Sequence, residues 1–530
     1  PHGAPATSHG SIARAGTDPT SSAPAGTSSG VSMPSAEAGA SNGSSGVAYT
    51  DRPNLLIVMV DEERNWFWYP EAFAFEEHLP RRAWLRSQGL RFDNYYVHTN
   101  PCTPSRSAIF TGRHTPDTGM FENTNVRFQR SMSPDIPTLG HMLATPSLGY
   151  YCAYIGKWHL AKEKDLSSAR KGPGTLKPFG FQNWGGHDIE GVAGNEGLEH
   201  DPHIAEEAVS WLRSHRSDTR PWCLTVSFVN PHDIAAFPEM RIQTPDYGVK
   251  LPKNHWDDLT QKPQAHRYWQ RFYNWFKGDI PLDADDTWRA LLNHYIYYQI
   301  QVDAQIGRVL DAMDEELRRR TFIVFTSDHG DLGGAHMLRT KGPTVYRESQ
   351  NVPFILIDPR MSAEKRGVTT DVLGGSIDLI PTLITRAGGS PQSFNLPGRS
   401  LLPALEHASP ATAPVHLVRD AVLFTYDAWQ GSPLPFQKGH LRGIYDGTYK
   451  YARYYAKNRE NAPLDRQELE LYDIAGKNAD GHDELKNRAH DPAYAKTAAE
   501  LNDRLAALID LEVGRPMPTV ASLSSDPSRL

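Results

Sequence analysis

From residue 49 onward the chain alternates short apolar runs with amphipathic segments. Leu55–Val60, Tyr150–Ile155, Trp222–Val229 and Phe322–Phe325 are strand-length and dominated by apolar residues. Arg81–Gln88, Ile204–His215 and Trp288–Met313 are predicted helices, the last with apolar residues at three- and four-residue spacing. Such alternation predicts an α/β fold, with a mostly parallel mixed sheet sandwiched by helices and ligands bound beyond the carboxyl ends of the strands. Val352–Ile357 and a helix over Ile377–Ala387 complete this domain, expected to span residues 49–396, and the Pro397-Gly398-Arg399 turn marks its boundary. Val422–Tyr426, then Leu441–Tyr455 with a turn at Asp446-Gly447, then a helix over Tyr494–Leu511 predict a smaller C-terminal α+β domain. That domain, with its antiparallel sheet, is expected over 397–515, followed by a tail over 516–530. No internal repeat is visible.

Composition narrows the class. With 530 residues, 39% hydrophobic and 22% charged, the chain has the profile of a globular protein and not of a disordered one. Leu55–Val60 is far short of the roughly 18 apolar residues of a membrane span. A formal net charge of -7 gives no basic surface for nucleic acid. Three widely spaced cysteines, Cys102, Cys152 and Cys223, offer neither a disulfide framework nor a CxxC site. Residues 1–48 are mostly Ala, Ser, Gly, Thr and Pro and are expected to be a flexible low-complexity tail. They lack the apolar core of a signal peptide and fit a processed remnant, a leader before Met33 or a native linker. A soluble protein is expected, with the compartment left open between cytoplasm and periplasm or exterior.

The candidate chemistry gathers at strand ends. Asp61 and Glu62 end the first predicted strand, and Asp328-His329-Gly330 ends another. Oxygen and nitrogen ligands converging on one crevice make a divalent-cation site, and the imidazole of His329 shifts preference from calcium towards manganese. Gly156-Lys157-Trp158-His159 follows a third strand, where residues two apart face the same side, so Lys157 and His159 can reach one pocket. Asn230-Pro231-His232 ends a fourth, with an imidazole able to act as an acid near neutral pH. A helix starting near Pro104 would point its free N–H groups at an anion, with Arg106 adding a fixed positive charge.

Cys102-Thr103-Pro104-Ser105-Arg106, followed by Thr111-Gly112-Arg113, resembles the signature of the type I sulfatases, formylglycine-dependent enzymes of the alkaline-phosphatase-like superfamily. Lys157-Trp158-His159, Ile377–Leu383, Gly398–Leu402 and Leu471–Ile474 extend the resemblance over roughly residues 53–512. It implies that Cys102 is oxidised by a formylglycine-generating enzyme to an aldehyde whose hydrate is the nucleophile. One hydroxyl attacks sulfur and the other is deprotonated to expel sulfate, so no water has to attack the ester. The resemblance further implies that Lys157 and Lys341 hold sulfate oxygens, that His232 protonates the leaving oxygen and that His159 is the base. It also implies that Asp61, Glu62, Cys102, Asp328 and His329 surround one divalent ion, with calcium, manganese and magnesium all compatible; Glu62 departs from the family pattern, and ligation, a bond to formylglycine or neither stay open for it. The expected activity is hydrolysis of a small aryl or alkyl sulfate monoester, with a homo-oligomer compatible. Asp328-His329 also resembles the choline sulfatase and phosphonate monoester hydrolase subgroup, which keeps a phosphonate monoester or phosphodiester hydrolase as an alternative. A non-catalytic anion-binding protein with unconverted Cys102 is the alternative from another class.

Overall fold

The strand Asn54–Asp61 (β1) has side chains buried on both faces, and each face builds its own core. Leu55, Ile57 and Met59 pack with Ile109 and Phe110 of one helix (α2, Cys102–Thr111, the next after α1, Pro80–Gln88) and with Leu379, Ile380 and Leu383 of another (Leu379–Arg386). Leu56, Val58 and Val60 pack with Ile204, Ala208 and Trp211 of the helix Glu196–Ser214 and with Leu291, Ile296 and Val302 of Asp285–Asp311. A strand covered on both sides has no polar face to show, which is why the sequence reads as an unbroken apolar run. This is a computed structural model, and it describes residues 52–525 except 71–72, 163–164, 167–173, 186–187, 189–193, 428–438 and 457. The segment 1–48, expected to be a flexible tail, lies outside the described residues.

Seven strands form the central sheet. In chain order they are β1, Leu90–Phe92 (β2), Tyr151–Gly156 (β3), Trp222–Pro231 (β4), Thr321–Ser327 (β5), Phe354–Ile357 (β6) and Thr369–Thr370 (β7). Their spatial order is β3-β4-β1-β5-β6-β2-β7. The first four are mutually parallel, β6 runs antiparallel to both its neighbours, and β2 pairs parallel with β7. The sheet is therefore mixed and mostly parallel, flanked by helices as expected. The carboxyl ends of β3, β4, β1 and β5 lie side by side, with β1 where the chain order reverses.

A second, antiparallel sheet is built from Val422–Tyr426 (β8), His440–Tyr445 (β9), Tyr449–Tyr455 (β10) and Glu468–Asp473 (β11), in that order. One face packs Phe424, Leu441 and Tyr454 against Trp269, Leu338 and Tyr346. The other packs Leu423, Ile444 and Leu471 against Leu501 and Leu505 of the helix Ala495–Glu512. Both sheets belong to one compact unit. The Pro397-Gly398-Arg399 turn is packed on the first core, with Arg399 N donating to Asp378 at 2.8 Å, and Leu401, Leu402 and Leu405 continue that core. Residues after 515, expected as a tail, include the short helix Val520–Ser525, whose Leu523 reaches the same core. Among the described residues, no helix is long and apolar enough to cross a membrane.

Buried charge joins the two parts. Arg419 makes a two-pronged pair with Asp378, Nη2–Oδ1 2.6 Å and Nε–Oδ2 2.8 Å, and reaches Glu512 at 3.4 Å. Glu512 also takes His114 Nε2 at 2.9 Å. Against the desolvation that burial imposes, Arg419 and His114 hold the Glu512 carboxyl below its usual range. Removing one partner from such a network leaves uncompensated buried charge. Arg419→Ala is expected to destabilise the protein by about 3–5 kcal/mol, read as a lowered urea midpoint, whereas Arg419→Met with Asp378→Asn recovers part of the loss.

Candidate active site

The chain brings its candidate residues together by ending four neighbouring strands at one edge. Asp61 is the last residue of β1, Lys157 follows Gly156 at the end of β3, His232 follows Pro231 at the end of β4, and Asp328-His329 follows Ser327 at the end of β5. Two local features aim them. Gly156 has φ +96°, and a Cβ there would lie 2.0 Å from the Ser227 carbonyl oxygen, so only glycine lets β3 turn Lys157 inward beside β4. Met59 pairs with Ser227 but Asp61 with Pro231, an irregularity that adds two residues to β4 where it passes the site. Cys102 is the first residue of α2, and Asn123 Oδ1 accepts from Thr103 N at 3.1 Å in the first turn.

Arg106, one turn into α2, is fully buried and fixes the two aspartates. Its Nη2 lies 2.8 Å from Asp61 Oδ2 and its Nε 2.8 Å from Asp328 Oδ2. Nη1 donates to the Lys157 carbonyl at 2.7 Å and to Ser227 Oγ at 3.0 Å. Lys157 Nζ takes the same Asp61 Oδ2 at 2.8 Å. Burial alone would raise the Asp61 pKa, but Lys157 foremost, then His232 and Arg106, hold it well below the usual carboxylate range. Each aspartate thus spends one oxygen on cations and turns Oδ1 towards the centre.

Four candidate ligand atoms meet there, from Asp61, Cys102, Asp328 and His329. His329 Nε2 lies 3.2 Å from Cys102 Sγ and 3.8 Å from both Asp61 Oδ1 and Asp328 Oδ1, and Sγ is 3.7 Å from Asp61 Oδ1. Ligands at about 2.0–2.6 Å from one ion stand roughly 3–4 Å from each other, so this spacing fits a single divalent cation. His329 Nδ1 is 3.0 Å from the Gly330 carbonyl, an arrangement that puts the proton on Nδ1 and leaves the Nε2 lone pair facing the cluster. Burial, with Asp61, pushes the Cys102 thiol up to about 12.

Glu62 stands apart from these four. Its carboxylate turns to Lys341 and His232, with Oε2 2.5 Å from Lys341 Nζ and 3.5 Å from His232 Nε2, while Oε1 is buried without a partner. A group of Asp61, Glu62 and His232 is the one in which it could share a cation. His159 is buried with both ring nitrogens unpartnered, and burial, with Lys157 and Arg106, keeps it well below its usual pKa. Its left-handed backbone, φ 56°, is held by Asp188, whose carboxylate accepts from Trp158 N at 3.1 Å and from His159 N at 2.8 and 3.0 Å. His232 is likewise kept neutral by burial and by the two lysines.

Every sequence-predicted site residue therefore lies at this one edge. Sequence reasoning missed Ser227, Asp188 and the capping role of Asn123, none of which sits in a motif of its own. Asn125 is exposed, and the Trp66–Tyr69 cluster packs into the core through Trp66 on Phe75 and Phe325. His187 lies outside the described residues, while His336 bonds Asp257 at 2.7 Å away from the site. A cavity of about 670 Å³, lined by Phe67, Arg91, Arg347 and Tyr445 among others, contains none of the candidate catalytic residues. The candidate centre is instead tightly closed: Cys102, Lys157, His159 and His329 have no exposure, and Lys341 and His232 have 6% each.

Comparison with known proteins finds relatives over most of the chain. A family model described as Sulfatase matches residues 53–389, and one described as N-sulphoglucosamine sulphohydrolase, C-terminal, matches 335–510. The chain is 28% identical over 497 residues to a Delta 4,5-hexuronate-2-O-sulfatase of Bacteroides thetaiotaomicron, covering 90% of this chain and 92% of that protein. It is 27% identical over 467 residues to a choline-sulfatase of Rhizobium meliloti, covering 80% and 83%. Among solved structures, a 2-O GAG sulfatase superposes with a TM-score of 0.67 at 23% identity, over 87% of this chain and 92% of that one. A phosphonate monoester hydrolase from Silicibacter pomeroyi gives 0.65 at 19% identity, over 87% and 96%.

The Asp188 brace is testable apart from any activity. Asp188→Ala leaves the Trp158 and His159 N–H groups without their acceptor, at about 1–3 kcal/mol for each buried donor. The variant is expected to unfold at lower urea concentration, and Asp188→Asn, which keeps one acceptor oxygen, to lose less.

Proposed function

The chain belongs to the sulfatase family, and we propose that it hydrolyses a sulfate monoester with Cys102, converted to formylglycine, as the nucleophile. The observation that carries this reading is the closed ring of Asp61, Cys102, Asp328 and His329 around one cation-sized space, with Lys157, Lys341, His159 and His232 beside it. A divalent cation held by Asp61, Asp328 and His329, with position 102 next to it, supplies Lewis-acid polarisation when bound. The hydrated aldehyde supplies a second hydroxyl, which lets the enzyme release sulfate by breaking a C–O bond.

The other roles belong to the chain's own side chains. Lys157 and Lys341 neutralise sulfate oxygens, and in a dry pocket those charges act strongly. Arg106 stays on the two aspartates and acts as a positioning residue. His232, on the solvent side of the centre, protonates the leaving oxygen. Burial and the two lysines disfavour its charged form, and a bound anionic ester offsets the lysines, so proton uptake follows substrate binding. His159, neutral and with free ring nitrogens, accepts the proton that accompanies sulfate release. Glu62 is assigned to holding Lys341 and His232 rather than to the cation. Because Cys102 is fully buried, a formylglycine-generating enzyme would have to act before the chain folds.

A phosphonate monoester or phosphodiester is the second reading, favoured by His329 at the cation. The ratio of turnover on matched aryl sulfate and aryl phosphonate esters decides between them. Protein made with a formylglycine-generating enzyme is expected to yield a Cys102 peptide whose mass matches CH2SH replaced by CHO. Cys102→Ala is expected to abolish turnover, and full activity in that variant overturns the mechanism. Chelation is expected to abolish turnover too, with manganese restoring more of it than calcium.

A further inference from the structure

Lys341 is delivered by a loop whose backbone is held in a disfavoured shape. Leu332 N donates to the Thr340 carbonyl at 2.7 Å and Gly334 N to the Leu338 carbonyl at 2.8 Å, so residues 332–340 close on themselves just after Asp328-His329. Within that loop three residues other than glycine take left-handed backbone: His336 at φ 54°, Met337 at φ 53° and Thr340 at φ 59°. For a β-branched residue such as Thr340 this region is an outlier, and it persists only where the surroundings fix it. Residues 237–284, between the short helical turn His232–Ala236 and the helix Asp285–Asp311, supply partners that do so. The Asn254 carbonyl accepts from His336 N at 3.0 Å, and Asp257 Oδ2 lies 2.7 Å from His336 Nδ1. Gln270 Nε2 donates to the Met337 carbonyl at 3.0 Å, and Trp269 Nε1 to the Arg339 carbonyl at 3.3 Å. A Cβ on Gly342 would meet the Trp269 indole at 2.7 Å, so the backbone after Lys341 lies against that ring.

Arg339, two residues before Lys341 and 4% exposed, reaches widest of all. Its Nη1 donates to the Phe237 carbonyl at 2.7 Å, and its Nη2 donates to the Tyr273 carbonyl at 3.0 Å, to Asn274 Oδ1 at 3.1 Å and to the Gly278 carbonyl. All four acceptors are uncharged oxygens, so the guanidinium fixes geometry here and neutralises no acid. Phe237 N in turn donates to the Ile234 carbonyl at 3.0 Å, closing the helical turn that begins at His232. One planar group therefore ties the segment after His232 and the end of the helix Gln264–Lys277 to the segment before Lys341. The two tips meet again at Glu62, whose Oε2 lies 2.5 Å from Lys341 Nζ and 3.5 Å from His232 Nε2.

We infer that Arg339 is a positioning residue for Lys341: its fork holds the strained loop so that the ammonium is presented to the sulfate group beside His232. This rests on the sulfatase reading above. The guanidinium bonds to backbone carbonyls and one amide, and to none of the candidate catalytic side chains, so its effect on the reaction passes through Lys341. Lysine in its place would keep the charge but has no planar fork to meet separate acceptors at fixed spacing.

The test is a double-mutant cycle on Cys102-converted protein with 4-nitrophenyl sulfate as substrate. Arg339→Ala is expected to lower kcat/KM about tenfold, and Arg339→Lys to stay within about threefold of that loss. Lys341→Ala is expected to lower kcat/KM at least as far. Adding Arg339→Ala to Lys341→Ala is then expected to change it by less than about twofold, because the group being positioned is gone. A merely structural role would carry its full loss into the Lys341→Ala background. Such an additive loss overturns the inference, as does unchanged kcat/KM in Arg339→Ala, and both leave the sulfatase reading intact. Should Arg339→Ala fail to fold, Arg339→Lys runs the same cycle with the same two outcomes. Unchanged kcat/KM in Lys341→Ala removes the lysine from the reaction, and wild-type protein without turnover overturns the sulfatase reading; either takes this inference with it.

Discussion

The guanidinium of Arg106 is the constraint on which the candidate site depends. Two carboxylates at the ends of adjacent parallel strands repel each other, and burying both costs far more than their packing returns. Arg106 meets one with Nη2 and the other with Nε, and its third nitrogen ties down the turn that carries Lys157. Lysine could not do this, because a single ammonium has no planar fork to bridge two acids at fixed spacing. The bridge also sets which oxygen of each acid faces the centre. With Oδ2 held on cations, Oδ1 of each turns to the space shared with Cys102 and His329, that of Asp328 also accepting from Glu62 N at 3.1 Å and His329 N at 2.9 Å.

The same geometry explains what the sequence could and could not reveal. Strands buried on both faces leave apolar runs, so β1, β3, β4 and β5 were legible almost to the residue, and with them the strand-end positions of Asp61, Lys157, His232 and Asp328. The Cys102–Arg106 motif and the start of α2 were equally legible, because a proline and small polar residues at a helix start leave a local signature. The role of Glu62 stayed open. It follows Asp61 in sequence, and its left-handed backbone, φ 71°, turns the carboxylate to Lys341. Adjacency in sequence carries no information about which way a strained turn points its side chain. Asp188 and Ser227 were invisible for another reason: each serves through contacts with residues far along the chain, and no local pattern encodes those.

The smaller C-terminal part is tied firmly to the first sheet. At the expected boundary, the backbone of the Pro397-Gly398-Arg399 turn caps onto Asp378, and Asp378 is itself paired with Arg419 just before β8. Phe424 and Tyr454 of the second sheet share a core with Trp269 and Leu338, which flank the Lys341 loop. The sheet therefore supports the candidate site from behind, and its stability bears on how firmly Lys341 is presented.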